Sequence, residues 1–245
     1  MAEPYSPEEE SRTNPHDWTD DALIAEIKAR YRATTQLLQD HYEPDQVLLR
    51  TTSFSAEYNR VPDETATKIR EITQNMPMTD LGGKEGLPEA IRERLGIGNY
   101  RVVDMQKSYY PDSVEDDALS YLNSLVHEDG SVDETNVMSN GFLTTDIFGS
   151  GWTKDDTPEA KNPNAIITKE YLTRLFTRIT DVLPENGIFI ATHMDAPMRR
   201  LAQENGLELN EELTTYYPQS EYNPRPREPQ IVVFNKRTTT QPHGR

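Results

Sequence analysis

From residue 76 onward, short apolar runs typical of buried strands alternate with segments whose apolar residues recur every three or four positions. The run 187–192 is almost continuously apolar, as expected for a parallel strand that is covered on both faces. The segment 168–183 places Tyr171 and Leu175 on the same side of a helix. This alternation predicts an α/β fold with a Rossmann-like, mostly parallel sheet and helices on both faces. Two final strand patterns predict a closing antiparallel strand pair.

Caps, prolines and glycines set the expected boundaries. Helices are expected after an N-cap at Thr19 and after Pro62. Strands are expected at 76–79, 100–104, 135–140, 187–192, 207–217 and 230–236, and later helices at 87–95, 114–126, 168–183 and 197–205. The predicted organisation is a disordered acidic arm (1–17), an N-terminal helical cap (18–75), a core (76–237) and a flexible tail (238–245).

The charge and the cysteine content exclude several classes of function. The 245 residues include 25 Lys and Arg against 42 Asp and Glu, which gives a net charge of −17. Such a field repels phosphate backbones and anionic lipids, so it argues against nucleic-acid and membrane partners. The chain has no cysteine, which excludes disulfides, thiolate zinc sites and thiol nucleophiles. Because neither a signal peptide nor a membrane-spanning run is evident, we expect a cytoplasmic protein with a small-molecule or protein partner.

A glycine-rich segment, Asp80-Leu81-Gly82-Gly83-Lys84-Glu85-Gly86, lies between a strand pattern and a helix pattern. Gly82 can adopt a positive φ in a tight turn, and Gly86 lets the helix begin close to the sheet. A ligand can then lie over bare backbone at the start of the helix. An ordinary strand–helix turn is the alternative reading of the same residues.

Asp104 ends the second strand pattern, close to the ~20 residues after the glycine segment that dinucleotide-like sites show. A carboxylate has two oxygens and therefore suits the two adjacent hydroxyls of a ribose. In the loop that follows, Asp112 is a candidate to bind an adenine amine, and Tyr109 or Tyr110 could stack on the ring. A solvated aspartate at a strand end is an equally simple reading of Asp104.

Two other polar residues follow strands at the sheet edge where ligands bind in open α/β folds. Asn140 follows the fourth strand, where it could orient a substrate or simply cap the turn. His193 follows the strand 187–192 and has a suitable intrinsic pKa for a general base. A solvent-facing loop histidine is the alternative for His193, and the spacing of the five histidines indicates no metal site.

The order and spacing of these segments resemble the class I (Rossmann-like) S-adenosylmethionine-dependent methyltransferases over about two-thirds of the chain. The family motif has an acidic residue followed by three alternate glycines. Asp80, Gly82 and Gly86 match it, and Lys84 replaces the middle glycine. The turn Val182-Leu183-Pro184-Glu185-Asn186-Gly187 also matches the family.

The resemblance implies a methyltransferase with S-adenosylmethionine as cofactor and an unidentified acceptor. The residues that it implies for the cofactor are Asp80, Gly82, Gly86, Asp104 and Asp112, and those for the acceptor side are Asn140 and His193.

Two other functions remain open from the sequence. Lys84 and the lack of a recognised catalytic motif fit a methyltransferase-like binding or scaffold protein without turnover. A nicotinamide-dependent oxidoreductase would also use a glycine turn and Asp104. The expected closing antiparallel strand pair and the pattern of the fourth strand argue against an oxidoreductase.

Overall fold

The computed structural model describes residues 14–41, 54–83, 85–108, 110–140, 163–192, 194–217 and 229–237. Its strands are β1 (Pro77–Leu81), β2 (Asn99–Asp104), β3 (Ser113–Glu115), β4 (Asn136–Ser139), β5 (Ile188–Thr192), β6 (Leu207–Leu209), β7 (Thr215–Tyr216) and β8 (Pro229–Lys236). Its α-helices are α1 (Asp20–His41), α2 (Asp63–Thr73), α3 (Glu89–Leu95), α4 (Ala118–Ser124), α5 (Pro163–Val182) and α6 (Ala196–Glu204). Short 3-10 turns span Pro15–Asp17 and Phe54–Arg60.

The described strands form one sheet in the order β3-β2-β1-β4-β5-β8-β6, with β7 beside β8. The strands from β3 to β5 are parallel, whereas β8 is antiparallel to β5, β6 and β7. The predicted fold class, a mostly parallel sheet with a closing antiparallel element, is therefore confirmed. The order of the sheet reverses between β1 and β4, because the chain moves outward in opposite directions from these two strands.

Alternation along the strands divides the apolar core between the two faces of the sheet. On β5, Phe189 and Ala191 pack with α1, α4, α5 and α6, whereas Ile188 and Ile190 pack with α2 and α3. Both sets of side chains are fully buried, which explains the continuous apolar run in the sequence. The two helices assigned to an N-terminal cap thus lie on opposite faces of the sheet.

The first helix starts as predicted, because the Thr19 hydroxyl accepts a hydrogen bond from the Ala22 amide at 3.3 Å. Arg174 of α5 pairs with Asp20 at 2.7 Å, and Glu170 of the same helix forms a hydrogen bond with His16 at 2.7 Å, so α5 holds this region in place. The turn Pro15–Asp17, which precedes the helix, buries Pro15. Within the described ranges, no helix combines the length and the apolar character that a membrane span requires.

Three segments differ from the sequence-based expectation. The predicted helix 114–126 was wrong at its start, because residues 113–115 pair with β2 as strand β3, and Asp117 then caps the shorter helix α4. Strand β1 extends to Leu81, which places Asp80 inside the sheet instead of in the loop. The predicted strand 207–217 is interrupted by a turn at Asn210, whose side chain accepts from the Leu213 amide at 3.0 Å.

Candidate functional site

The carboxyl ends of β1, β2 and β4 meet where the order of the sheet reverses, which is the usual ligand-binding position in open α/β sheets. In the parallel register, Leu81 of β1 lies between Val103 of β2 and Ser139 of β4. The fold therefore brings Asp80, Asp104 and Asn140 to one edge of the sheet, although they are far apart in sequence.

Asp80 is fully buried in β1, with 0% of its surface exposed. Its Oδ2 accepts a hydrogen bond from the hydroxyl of Tyr100, and that hydroxyl accepts one from the Leu87 amide at 2.8 Å. Among the residues that the structure describes, no group forms a hydrogen bond with Oδ1 of Asp80. The carboxyl group is thus anchored through one oxygen, and its other oxygen has an unused hydrogen-bonding capacity.

Burial raises the pKa of Asp80 to about 7, since a charged carboxylate loses its hydration inside the protein. The hydroxyl of Tyr100 and the nearby backbone amide of Asn140 favour the ionised form and lower the pKa, while the negative charge of Asp104 raises it further. Near neutral pH, Asp80 therefore changes between a neutral and an anionic form.

This raised pKa predicts a pH-dependent stability that the Asp80→Asn variant lacks. The folded protein holds a proton on Asp80 up to about pH 7, whereas the unfolded chain releases it near pH 3.8. The free energy of unfolding of the wild type, relative to that of Asp80→Asn, should therefore fall between pH 4 and pH 7 and level off above pH 7. The expected fall is on the order of 4 kcal/mol. Urea unfolding of both proteins from pH 4 to 8 measures it, and a constant difference would contradict the prediction.

The glycine turn passes directly over the Asp80 carboxyl group. Gly82 and Gly86 have φ values of +73° and +68°, so both occupy the left-handed region that favours glycine. A Cβ on Gly83 would lie only 2.2 Å from Oδ2 of Asp80. The sequence offered Gly83 only as a partial replacement for the middle glycine of the motif, and its contact with Asp80 was not predicted. Lys84, which replaces the middle glycine of the family motif, lies outside the described residues.

Asp104 ends β2 and is buried, and its Oδ1 accepts a hydrogen bond from the Gln106 amide at 2.8 Å. Tyr31 of α1 lies close to it. Burial and then the charge of Asp104 raise the pKa of Tyr31 to about 12, while hydrogen bonds with Thr35 and Gln106 lower it. Helix α1 therefore covers the end of β2. Tyr31 was not predicted to lie here, because nothing local to its helix indicates a contact with Asp104.

Asp112 does not join Asp80 and Asp104. It lies just before β3, where its carboxylate is exposed and pairs with Arg101 at 3.3 Å. Its backbone carbonyl accepts a hydrogen bond from Val102, which aligns it with the middle of β2 and not with the carboxyl end. The adenine-binding role of Asp112 therefore stays a prediction that this position does not favour.

Two other aspartates follow the carboxyl end of β3, and both are bound within the protein. Asp116 pairs with Lys28 of α1 at 3.0 Å. The Oδ1 of Asp117 caps α4, and its Oδ2 accepts from the hydroxyl of Tyr171 at 2.9 Å. The ion pair between Lys28 and Asp116 thus attaches α1 to the edge of the sheet where Asp104 lies, which we call the crevice side.

The end of β4 supplies two buried polar residues, Ser139 and Asn140, next to β1. The backbone amide of Asn140 favours the ionised form of Asp80 and so lowers the pKa of that carboxyl group. In the described part of the chain, the hydroxyl of Ser139 has no hydrogen-bond partner. His193 and Tyr109 lie outside the described residues.

No protein-family model and no curated protein matches the sequence. Solved structures with a similar fold include a TehB-like SAM-dependent methyltransferase from Corynebacterium glutamicum, with 14% identity and a TM-score of 0.41, over 72% of this chain and 89% of that chain. Another is 1,6-didemethyltoxoflavin-N1-methyltransferase from Burkholderia thailandensis, solved with S-adenosylhomocysteine, with 11% identity and a TM-score of 0.47 over 97% and 93%. A third is the N-methyltransferase NodS from Bradyrhizobium japonicum, with 9% identity and a TM-score of 0.41 over 74% and 97%.

Proposed function

We propose that this protein is an S-adenosylmethionine-dependent methyltransferase whose acceptor is a small molecule or a protein. The observation that carries the proposal is the Asp80 carboxyl group, which is buried at the reversal of the sheet beneath a side-chain-free turn and has one unpartnered oxygen. A second buried carboxylate, Asp104, lies at the end of the neighbouring strand. A ligand for this site should carry positive charge at one end and a diol at the other.

S-adenosylmethionine meets these requirements. Its ammonium group can donate a hydrogen bond to Oδ1 of Asp80, and its ribose diol can donate to Asp104. Because Gly83 has no Cβ, the glycine turn lies directly against the buried Asp80 carboxyl group, and it must shift for the ammonium group to reach Oδ1. Tyr31 would cover the ribose from α1, and Gly82 and Gly86 would let the backbone follow the ligand closely.

The sulfonium of this cofactor supplies an activated methyl group, so the chain itself needs mainly to align the acceptor and exclude water. Asp80 would hold the ammonium group of the cofactor, and Asp104 would hold its ribose. Ser139 and Asn140, which end β4 beside Asp80, would form the wall that the acceptor approaches. His193, directly after β5, remains our candidate base for an acceptor that must lose a proton.

The electrostatics of the crevice argue against a nicotinamide cofactor. A dinucleotide places its pyrophosphate against the glycine turn after the first strand. Here that position lies over the Asp80 carboxyl group, whose charge would repel the phosphates. Among the described strands, the one next to β5 is the antiparallel β8, where a dinucleotide fold continues in parallel. The same charge favours a sulfonium and an ammonium. The net charge of −17 likewise favours an acceptor other than nucleic acid. We also propose a cytoplasmic location, as expected from the sequence.

Isothermal titration calorimetry of the wild-type protein tests the proposed cofactor. We expect S-adenosylmethionine and S-adenosylhomocysteine to bind with micromolar dissociation constants and NAD to show no binding. Formation of S-adenosylhomocysteine in the presence of candidate acceptors then tests turnover. Cofactor binding without turnover for any acceptor would favour a binding or scaffold protein, and binding of NAD alone would favour an oxidoreductase.

A further inference from the structure

The ring of Tyr110, in the loop between β2 and β3, packs against the end of the glycine turn. A Cβ on Gly86 would lie 3.0 Å from Cδ2 of Tyr110 and 3.3 Å from Cε1 of Tyr100, so Gly86 lies close to both rings. The two rings meet edge to face, with their centroids 4.9 Å apart. Gly86 is therefore in contact with two aromatic side chains that belong to other segments of the chain.

Arg92, on α3, is the third member of this cluster. Its guanidinium carbon lies 5.7 Å from the ring centroid of Tyr100 and 5.5 Å from that of Tyr110, within the range of cation–π attraction. Its Nε donates a hydrogen bond to the backbone carbonyl of Leu87 at 3.3 Å. Arg92 thus attaches the ring of Tyr110 to α3. We call Tyr100, Tyr110 and Arg92 the aromatic clamp.

The backbone around Tyr110 is anchored to β2. The Tyr110 amide donates to the hydroxyl of Ser108 at 3.0 Å. The Val102 amide donates to the carbonyl of Asp112 at 3.1 Å, and the carboxylate of Asp112 pairs with Arg101 at 3.3 Å. The aromatic clamp therefore connects the glycine turn to a segment that the sheet holds in place.

Hydrogen bonds connect Gly86 to the part of the turn that lies over Asp80. The Gly86 amide donates to the carbonyl of Gly83 at 2.5 Å, and the Leu87 amide donates to the hydroxyl of Tyr100 at 2.8 Å. Gly83 is the residue that lies against the Asp80 carboxyl group. To move away from that carboxyl group, Gly83 must therefore lose its hydrogen bond with Gly86 or draw Gly86 out of the aromatic clamp.

The glycine turn covers the carboxyl group that the proposed cofactor has to reach. We propose that the aromatic clamp is an autoinhibitory contact, which holds the glycine turn closed over Asp80 in the free protein and separates when the cofactor binds. Its effect on the cofactor rests on the proposed function, whereas the closure of the turn does not. A ligand that binds only the open form loses affinity in proportion to the closed fraction. Loosening the clamp therefore strengthens binding, whereas loss of a ligand contact would weaken it.

Tyr110→Ala tests the clamp, because it removes the ring that contacts both Gly86 and Arg92. Hydrogen exchange of the ligand-free protein, measured by mass spectrometry on the peptide 81–90, reports the opening of the turn through the bonded amides of Gly86 and Leu87. We expect exchange about tenfold faster than in the wild type, since an aromatic contact and a cation–π contact are lost. Calorimetry should show S-adenosylhomocysteine binding about tenfold more tightly.

Arg92→Met tests the same clamp from α3. Methionine keeps a long apolar side chain without the charge, so exchange in the peptide 81–90 and affinity should both rise, as in Tyr110→Ala. The double variant should exceed Tyr110→Ala by less than the effect of Arg92→Met alone, because both substitutions remove the same contact. Fully additive effects would contradict a clamp in which Arg92 and Tyr110 act together.

Tyr216→Ala is the matched control, since it also removes a half-buried tyrosine ring, here on β7. Its exchange in the peptide 81–90 and its affinity should equal those of the wild type, and thermal unfolding checks that every variant is folded. Unchanged exchange in Tyr110→Ala overturns the proposal. Faster exchange with weaker binding also overturns it, and would support the predicted stacking of Tyr110 on adenine. Faster exchange without cofactor binding in any of the proteins supports closure by the clamp and contradicts the proposed function.

Discussion

Replacing Gly83 with alanine should abolish detectable binding of S-adenosylmethionine and lower the free energy of unfolding by about 2–3 kcal/mol. The added Cβ would lie 2.2 Å from Oδ2, 2.4 Å from Cγ and 2.8 Å from Oδ1 of Asp80. This carboxyl group cannot easily move aside, since it is fully buried and held by Tyr100. The turn must therefore lift away from β1, which removes the surface on which the cofactor would lie.

Gly98→Ala is the control for this substitution. It makes the same change in a loop of the same domain, but its Cβ would have no neighbour within 4 Å. We expect its urea midpoint and its calorimetric dissociation constant to match those of the wild type. Wild-type affinity in Gly83→Ala would show that the ligand does not use the glycine turn, and the proposed site would then be wrong.

The architecture could be predicted from the sequence wherever the signal is local and strong. The buried strand β5 is an uninterrupted apolar run, and α3 ends at Leu95, as predicted, before Gly96 in the left-handed conformation. Strand β3 could not be predicted, because Ser113-Val114-Glu115 shows no apolar alternation and becomes a strand only by pairing with β2. Its assignment depends on a distant partner and not on its own side chains.

The candidate site also combines residues that a local sequence signal predicts with residues that only long-range packing brings there. Asp104 was predicted because it ends a recognisable strand pattern, Asp80 because it precedes the glycines of the family motif, and Gly82 and Gly86 because the turn favours glycine. Tyr31 was missed, since it comes to the end of β2 from a helix whose packing is long-range. The raised pKa of Asp80 was also unpredictable, because it depends on burial that only the folded protein shows.

Replacing Asp104 with asparagine should weaken the binding of S-adenosylmethionine by about 100-fold or more. Asparagine keeps the size of the side chain but replaces one acceptor oxygen with a donor, so at most one ribose hydroxyl keeps its acceptor. Hydrogen bonds to charged groups contribute about 1.5–3 kcal/mol each, and about 1.4 kcal/mol corresponds to tenfold in affinity. Calorimetry at pH 8, where Asp80 is ionised, measures the loss without interference from its titration.

Asp112→Asn separates this local effect from a general loss of negative charge. It makes the same chemical change at an exposed carboxylate that pairs with Arg101, away from the meeting of β1, β2 and β4. We expect its affinity to stay within about twofold of the wild type, as is usual for exposed ion pairs. A large loss in Asp112→Asn would instead support its predicted contact with adenine.

Because the charge of Asp104 raises the pKa of Asp80, Asp104→Asn should also shift the pH-dependent stability change to lower pH. If Asp104→Asn bound S-adenosylmethionine with wild-type affinity, Asp104 would not be the residue that binds the ribose. The proposal of an adenosyl ligand at this site would then be contradicted.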